Sequence, residues 1–569
     1  MIQVLCMRRR AAIVGRPLSA SGRRRVGPRQ RSSLSRLLAA LALFACADAW
    51  PEVPAEAGVA IYRLGVLPSG APLAATRDAG EPTLGAAAAC VNCHRRSGLG
   101  TVEGQSLVPP IIGKYLFNHR QLIIDDPDIP HIEGYVPNRS AYTDATLAAA
   151  IRAGVTPDGR RLSYLMPRYA LDDASMRAVI GYLRTLGSQP TPGVSNEALE
   201  FATVVTPDAD PDAKAAMLEV LRHFIEGQNK LIAGGTPPMQ ANRAIMYRVT
   251  RRWNLQVWEL TGPAARWPAQ LKAKYTAHPV FAILSGLGGR DWAPVHRFCE
   301  SNGIPCLLPN VDLPVVAESD FYPVYFSRGV LLEADLIAAR LGELGSSGAV
   351  RRVVQVFASD DIGNAAAAAL AGSLRSGTLA SELHALPGPA LGARLPAILA
   401  GLKPEDALVL WLRNGDVATL PASPPASAHI FLSGLMADME NTPLPSGWRD
   451  KSRLSYVFDL PDARRSRLVL AHSWLRIHGV PPAAERVQIQ TYLACVIVAE
   501  TLGHMLDSFV RDFLNERLEM MVSRRLTNAY WPRLGLAPGQ RFASKGGYLV
   551  RLADPDGPRV VADGEWVVP

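Results

Sequence analysis

Apolar residues recur along this chain in two rhythms, which divide it. Between Thr143 and Gly187 they fall at helical spacing. Thr143-Asp144-Ala145-Thr146 predicts a helix start, with Leu147 and Ile151 on one face and Gly154 as a left-handed stop. A second helix starts at Asp172-Asp173, carries Met176, Val179, Ile180, Leu183 and Leu186, and ends at Gly187. Leu84–Ala89 is helix-compatible and built of small side chains. Past the linker Ser188–Asn196, short uninterrupted apolar runs alternate with helical patterns. The runs Phe201–Val205, Val280–Leu284, Pro305–Leu308, Val353–Phe357, Ala407–Leu412 and His429–Leu432 predict strands buried on both faces, hence parallel sheet covered by helices. Helices are predicted around Met217–Ile225, Ala293–Cys299 and, at greater length, Gln490–Leu514.

Composition changes this picture mainly at the N-terminus. The formal charge of +9 over 569 residues suggests a polyanionic partner. Ten of the arginines, however, lie within residues 1–49, with Asp48 the sole acid there; the rest carries 50 of the 60 basic and 50 of the 51 acidic residues. The remainder is neutral, so a nucleic-acid partner is not expected. The run Leu37–Ala45 after a basic region, followed by Ala47-Asp48-Ala49, predicts an export signal cleaved near Ala49. Leu43–Cys46 leaves a lipid anchor at Cys46 as the alternative, and the long basic region leaves room for an internal translation start. No later run is apolar enough to span a bilayer. The expected organisation is a signal peptide over 1–49, a first domain over 50–187, a linker over 188–199 and a two-lobed α/β region over 200–569, the length being too great for one sheet.

Candidate chemistry concentrates in Cys90-Val91-Asn92-Cys93-His94. Cys-x-x-Cys alone suits zinc or a thiol redox centre; the adjoining histidine favours covalent haem, with Cys90 and Cys93 forming thioethers and His94 reaching the iron. In Ser163–Tyr169, Met166 supplies a soft thioether and Pro167 fixes the backbone beside it. His119, His131 and Met176 are rival ligands. Arg95, Arg96, Arg160, Arg161 and Arg168 surround the motifs, either as partners for propionates or as a solvated charged face. Three cysteines remain. Cys299 and Cys306 flank a short loop that a disulfide could clip, or are two separate thiols, and Cys495 is expected to pack in a helix.

The order of helix, CxxCH, loops, Met-Pro and terminal helix over residues 80–187 resembles an all-α class I c-type cytochrome domain. Ile151–Gly159 through Met166-Pro167 is similar to the cytochrome subunits of bacterial periplasmic dehydrogenases. The resemblance implies one covalently attached haem c on Cys90 and Cys93, His94 as proximal and Met166 as distal iron ligand, and a terminal helix packed on the helix leading into Cys90. It further implies electron transfer with a redox partner protein, a periplasmic dehydrogenase or another cytochrome.

Residues 200–569 resemble the periplasmic substrate-binding proteins of the Leu/Ile/Val-binding type, carried by Val280–Gly286, Gly303-Ile304-Pro305 and Val353–Gly363. The resemblance implies two lobes hinged over a cleft and a small-molecule ligand. Leu308–Pro314 lacks the hydroxyl pair such proteins use for an amino-acid carboxylate, and Ser285–Gly289 is either an anion-binding turn or a plain strand-to-helix turn. Asp291, Trp292, Asp360 and Asp361 are cleft candidates. No nucleophile–base set, nucleotide fingerprint or second CxxCH is present. The leading expectation is a periplasmic mono-haem electron carrier with a fused binding domain, without substrate chemistry of its own. The alternative is a solute receptor or sensor of the ABC-transporter type in which haem reports redox state.

Overall fold

The computed structural model describes residues 55–569 except 78–79, 81, 104–105, 119–138, 234–250, 318, 376, 378, 439–440, 506–507, 525–529, 555–556 and 558. Residues 55–569 form one compact unit. The leader, with Cys6 and Cys46, and the rival ligands His119 and His131 lie outside the described residues.

The first part is framed by two helices, α1 (Ala55–Leu64) and, later in the chain, the helix Asp173–Thr185. They cross closely because Gly58 has no side chain: a Cβ there would stand 2.3 Å from the Ala178 carbonyl oxygen. Tyr62 and Tyr182 meet edge to face at 5.2 Å beside this crossing. Between them come the short strands β1 (Ala74–Thr76) and β2 (Thr83–Leu84), the hairpin β3 (Thr101–Glu103) and β4 (Ser106–Val108), helix α2 (Asp144–Ala153), β5 (Arg168–Tyr169) and then α3 (Asp173–Thr185). Thr143 and Thr146 form a reciprocal cap on α2, and Gly154 ends it at φ +68°.

Two expectations are corrected here. This part is not all-α: β1, flanked by β2 and β5, makes a three-stranded antiparallel sheet. Residues leading into Cys90 form a single 3₁₀ turn, Gly85–Ala88, and α3 packs on α1 instead. A run of four alanines flanked by glycine satisfies helix propensity but is too short to persist as a helix without a buried stripe.

Beyond the linker stand two sheets, the first parallel and the second mixed. The first lobe contains β6 (Ala198–Val205), helix α4 (Pro211–Ala233), β7 (Arg252–Glu259), β8 (Ala282–Leu284), helix α5 (Ala293–Ser301), β9 (Cys306–Leu307) and β10 (Pro323–Val324), ordered β10-β9-β8-β6-β7 and parallel throughout. The second begins with helix α6 (Val330–Ser346) and comprises β11 (Arg352–Ala358), helix α7 (Gly363–Leu374), β12 (Ala380–Leu386), β13 (Asp406–Trp411), β14 (His429–Ser433) and β15 (Ser452–Tyr456). Helices α8 (Pro461–Ile477), α9 (Glu485–Gly503) and α10 (Arg511–Arg524) follow, and antiparallel strands β16 (Tyr548–Leu552) and β17 (Val560–Ala562) complete the second sheet beside β15. All six expected strands are present. The single helix expected over Gln490–Leu514 is two, α9 and α10, interrupted after Gly503.

Helix α9 returns to the first lobe and packs on α4, so the chain passes between the lobes three times. The three passages touch one another. Tyr325 donates its N–H to the Arg541 carbonyl at 2.8 Å and accepts from Ala543 at 3.0 Å, while Asp459 donates to Tyr530 at 2.8 Å. These bonds tie the connecting segments into one seam between the lobes.

Candidate functional site

Two places carry concentrated chemistry. The first is the CxxCH segment. Cys90 caps a one-turn helix, Val91–His94, and Asn92 holds the preceding turn through bonds of 2.8 and 3.2 Å to the Ala86 and Ala87 carbonyls. His94 is buried, and its Nδ1 stands 3.1 Å from the Pro109 carbonyl oxygen. Burial outweighs that bond and drives the imidazole down to about pKa 4, so at neutral pH it is uncharged. With Nδ1–H donating to Pro109, Nε2 keeps its lone pair for a ligated metal. Neither Cys90 nor Cys93 is in a disulfide, and burial raises the Cys90 thiol to about 12. This arrangement fits a group attached through two cysteines and ligated by one histidine.

Met166 lies on the turn before β5, half-buried, its N–H bonded to the Ser163 carbonyl at 3.1 Å and its own carbonyl bonded by Arg168. Met176 is buried within α3, where the sequence put it in the core. Of the surrounding arginines, Arg95 pairs with Glu519 and Arg96 lies 4.2 Å over the Phe321 ring; both are engaged by the protein itself.

Helix α10 meets this segment with a row of carboxylates that sequence reading missed. Glu516 accepts from the Ser97 amide at 2.9 Å and the Ser97 hydroxyl at 2.5 Å. Glu519 binds both Arg95 and Arg541. Asp512 pairs with Arg63 at 3.1 Å and accepts from Tyr322 at 2.5 Å. The spacing of 512, 516 and 519 places them on one helical face, the signal that a helical-wheel reading would have supplied. Burial raises the Glu516 carboxyl to about 7 against the lowering effect of its Ser97 bonds.

The second place is the hinge cavity between the lobes. Its apolar wall comes from Val311, Phe326, Leu435, Phe458 and Trp531, and its polar atoms from Asp312, Ser327, Arg486 and Gln490. Phe326 and Trp531 stack at 4.6 Å between centroids. Arg486 holds Asp312 through bonds of 2.8 and 3.4 Å; burial alone would raise the Asp312 carboxyl, but the Arg486 charge and hydrogen bonds keep it below its ordinary value. Beneath the cavity the Asn310 amide bonds Ser285 at 3.0 Å and Thr491 at 3.1 Å, fastening α9 to the loops after β8 and β9.

The cleft candidates divide. Asp360 meets Arg290 across the lobes at 3.3 Å, and Asp361 makes a bidentate pair with Arg413 at 2.7 and 2.8 Å. Trp292 is buried under Gly286 and Gly288, and Asp291 caps α5. Ser285–Gly289 is a strand-to-helix turn: the amides of Ser285, Leu287, Gly288 and Gly289 donate to Leu307, Val204, Asn310 and Thr206. Cys299 and Cys306 are adjacent, hydrogen-bonded, free thiols. Cys495 is buried in α9 as expected.

No family model matches the chain. No curated protein matches it. Among solved structures it is similar to a fatty acid ABC transporter substrate-binding protein from Thermomonospora curvata, at 12% identity and a TM-score of 0.45, over 67% of this chain and 95% of that one. It is also similar to a branched-chain amino acid ABC transporter from Thermus thermophilus with bound valine, at 12% identity and 0.44, over 66% and 98%. A leucine-binding protein from Thermotoga maritima matches at 11% identity and 0.44, over 65% and 99%.

The expectation that cytochrome c, haem and electron transfer characterise this protein is corrected. The greater part of the chain is a two-lobed α/β scaffold. Among the described residues no group of three or more His, Cys, Asp or Glu side chains could hold a metal ion. No described helix is long and apolar enough to cross a membrane.

Proposed function

We propose that this protein is an exported, periplasmic solute receptor of the ABC-transporter substrate-binding type. The observation that carries this reading is the pair of α/β lobes joined by a hydrogen-bonded seam of connecting segments. Two rigid sheets joined by a flexing seam close over a small molecule and shield it from water, which suits capture and delivery more than chemistry. A cargo bound there stabilises the closed form by mass action. Thermal melting of the full chain with a broad panel of periplasmic metabolites tests this: a concentration-dependent rise in Tm for at least one class is expected, and no response across the panel overturns it.

In this reading haem c is secondary, a reporting group attached outside the cleft. Cys90 and Cys93 would hold it, His94 through Nε2 and Met166 would ligate it, and it would supply a redox-sensitive iron. The uncharged state of His94 and its Pro109 bond support that assignment. Haem staining after denaturing electrophoresis, with maturation machinery co-expressed, is expected to show covalent colour in the natural chain and none in a Cys90→Ala, Cys93→Ala double variant. A colourless natural chain removes the cofactor and leaves the receptor reading standing.

A further inference from the structure

We propose that Cys299 and Cys306 become joined by a disulfide in the exported chain, a clamp that fastens helix α5 to strand β9. The inference rests on the export proposed above and is independent of any cargo or haem.

The fold has already brought the pair together. Cys299 lies near the end of α5 and Cys306 opens β9, and both are fully buried. Each is a thiol in this structure, and the two stand within hydrogen-bond reach of one another. The loop between them is held from several sides. Ile304 donates to the Cys299 carbonyl at 2.9 Å, and Arg511 of α10 bonds the Asn302 and Gly303 carbonyls at 3.4 and 3.2 Å. Glu300 accepts from the Phe321 and Tyr322 amides at 3.0 and 2.9 Å. A disulfide is favourable where the fold itself sets the two side chains side by side, because no backbone has to move to close it.

The surroundings lose nothing when the thiol hydrogens go. His296 Nε2 stands 2.6 Å from an Asp320 carboxylate oxygen, which can only accept, so Nδ1 is left to accept from the Tyr325 hydroxyl at 2.7 Å. Tyr325 neighbours both thiols and is satisfied without them. Val295, Ile283 and Trp292 complete the same cluster with apolar surface. Cys495 is no competitor: burial in α9 is the one influence on its thiol.

The oxidant is a disulfide of the export compartment, carried by a thiol-oxidising protein or by oxidised glutathione. One cysteine sulfur attacks it, breaking the oxidant's S–S bond, forming a mixed disulfide and releasing one thiol. The second cysteine sulfur then attacks the first, closing the bridge and releasing the other thiol. Both cysteine protons end on the released thiols, and the oxidant gains the two electrons that the pair loses. Burial pushes the Cys299 thiol well above its ordinary value, which suppresses the thiolate in the finished fold. Exchange therefore precedes the docking of α5 on the sheet.

Both cysteines fall in one tryptic fragment, Phe298–Arg328, which holds no third. The full chain is taken from the periplasmic fraction, denatured in N-ethylmaleimide without reductant, and digested. The fragment is expected two hydrogens lighter than its dithiol form and free of maleimide, while Cys495 carries one label. Linkage of either cysteine to another fragment overturns the inference. The same mapping on chain reduced in urea and diluted into a glutathione redox mixture separates the pair from its compartment. Labelled cysteines in the cell-derived chain with a bridge in the diluted one support the inference and count against export; labels on both cysteines in both samples overturn it. A reducing agent is expected to lower the Tm of the bridged chain by about 2 °C or more and to leave Cys299→Ala, Cys306→Ala unmoved. An equal shift in both overturns the clamping role.

Discussion

Arg95, the residue after the CxxCH histidine, forms a buried ion pair with Glu519, 424 positions later in the chain. Glu519 also binds Arg541, and the Arg541 carbonyl accepts from Tyr325 in the hinge cavity wall. The CxxCH segment is thus packed against the hinge of the two-lobed scaffold. Leu99, Ile112 and Tyr115 reinforce this by joining the apolar core that runs through both lobes.

Removing the charge at Glu519 leaves two buried guanidinium groups uncompensated. Glu519→Gln is expected to destabilise the fold by about 3–5 kcal/mol, read as a lower urea midpoint. A change below about 0.5 kcal/mol, the level of a surface pair, would mean that this contact is solvated.

Glu516 predicts a pH effect of definite sign. Its carboxyl is raised to about 7 in the fold by burial, so between the unfolded value near 4.3 and about 7 the folded state holds the extra proton. Stability from this group is complete below the unfolded pKa and is lost as pH rises through the folded one. Glu516→Gln, which keeps acceptance from the Ser97 amide, should therefore match the natural chain near pH 4.5 and exceed it by a few kcal/mol near pH 8. Glu333, buried and raised to about 8, adds a slope of the same sign that this substitution leaves in place. Denaturant titrations at both pH values measure the difference.

At the hinge, Asp312→Asn leaves the partly exposed Arg486 without its partner. A loss of about 1 kcal/mol is expected, the level of a solvated pair. Replacing both residues together with Leu should recover most of it, because the attraction and the desolvation cost disappear together. A double variant as unstable as the single one would show that Arg486 is needed for packing rather than for charge balance.

Gly58 tests the helix crossing. Ala at this position would gain about 1 kcal/mol of helix propensity, yet its Cβ would meet the Ala178 carbonyl at 2.3 Å and Tyr182 Cβ at 2.7 Å. Net destabilisation of about 1–3 kcal/mol from overpacking is expected, seen as a drop in Tm. A rise in Tm would mean that α1 and α3 part without cost.

The sequence by itself determined the local structure. The β-rich apolar runs from Phe201 to His429 specified strands because uninterrupted apolar side chains require cover on both faces. Asp172, Thr143 and Gly154 specified helix ends through capping chemistry that needs only neighbours in the chain. The motif Cys90–His94 was legible for the same reason. Tertiary structure alone decided what those pieces meet. The helix packed on α3 is α1, selected by a glycine whose value appears only against Ala178. The carboxylates on α10 are unremarkable until Arg95, Ser97 and Arg541 arrive to pair with them. The cavity wall joins Val311, Phe326, Leu435, Phe458, Arg486 and Trp531 from distant parts of the chain, and no spacing rule connects them. Short-range geometry is written in adjacent residues, whereas charge compensation and cavity chemistry depend on distances that exist only after folding.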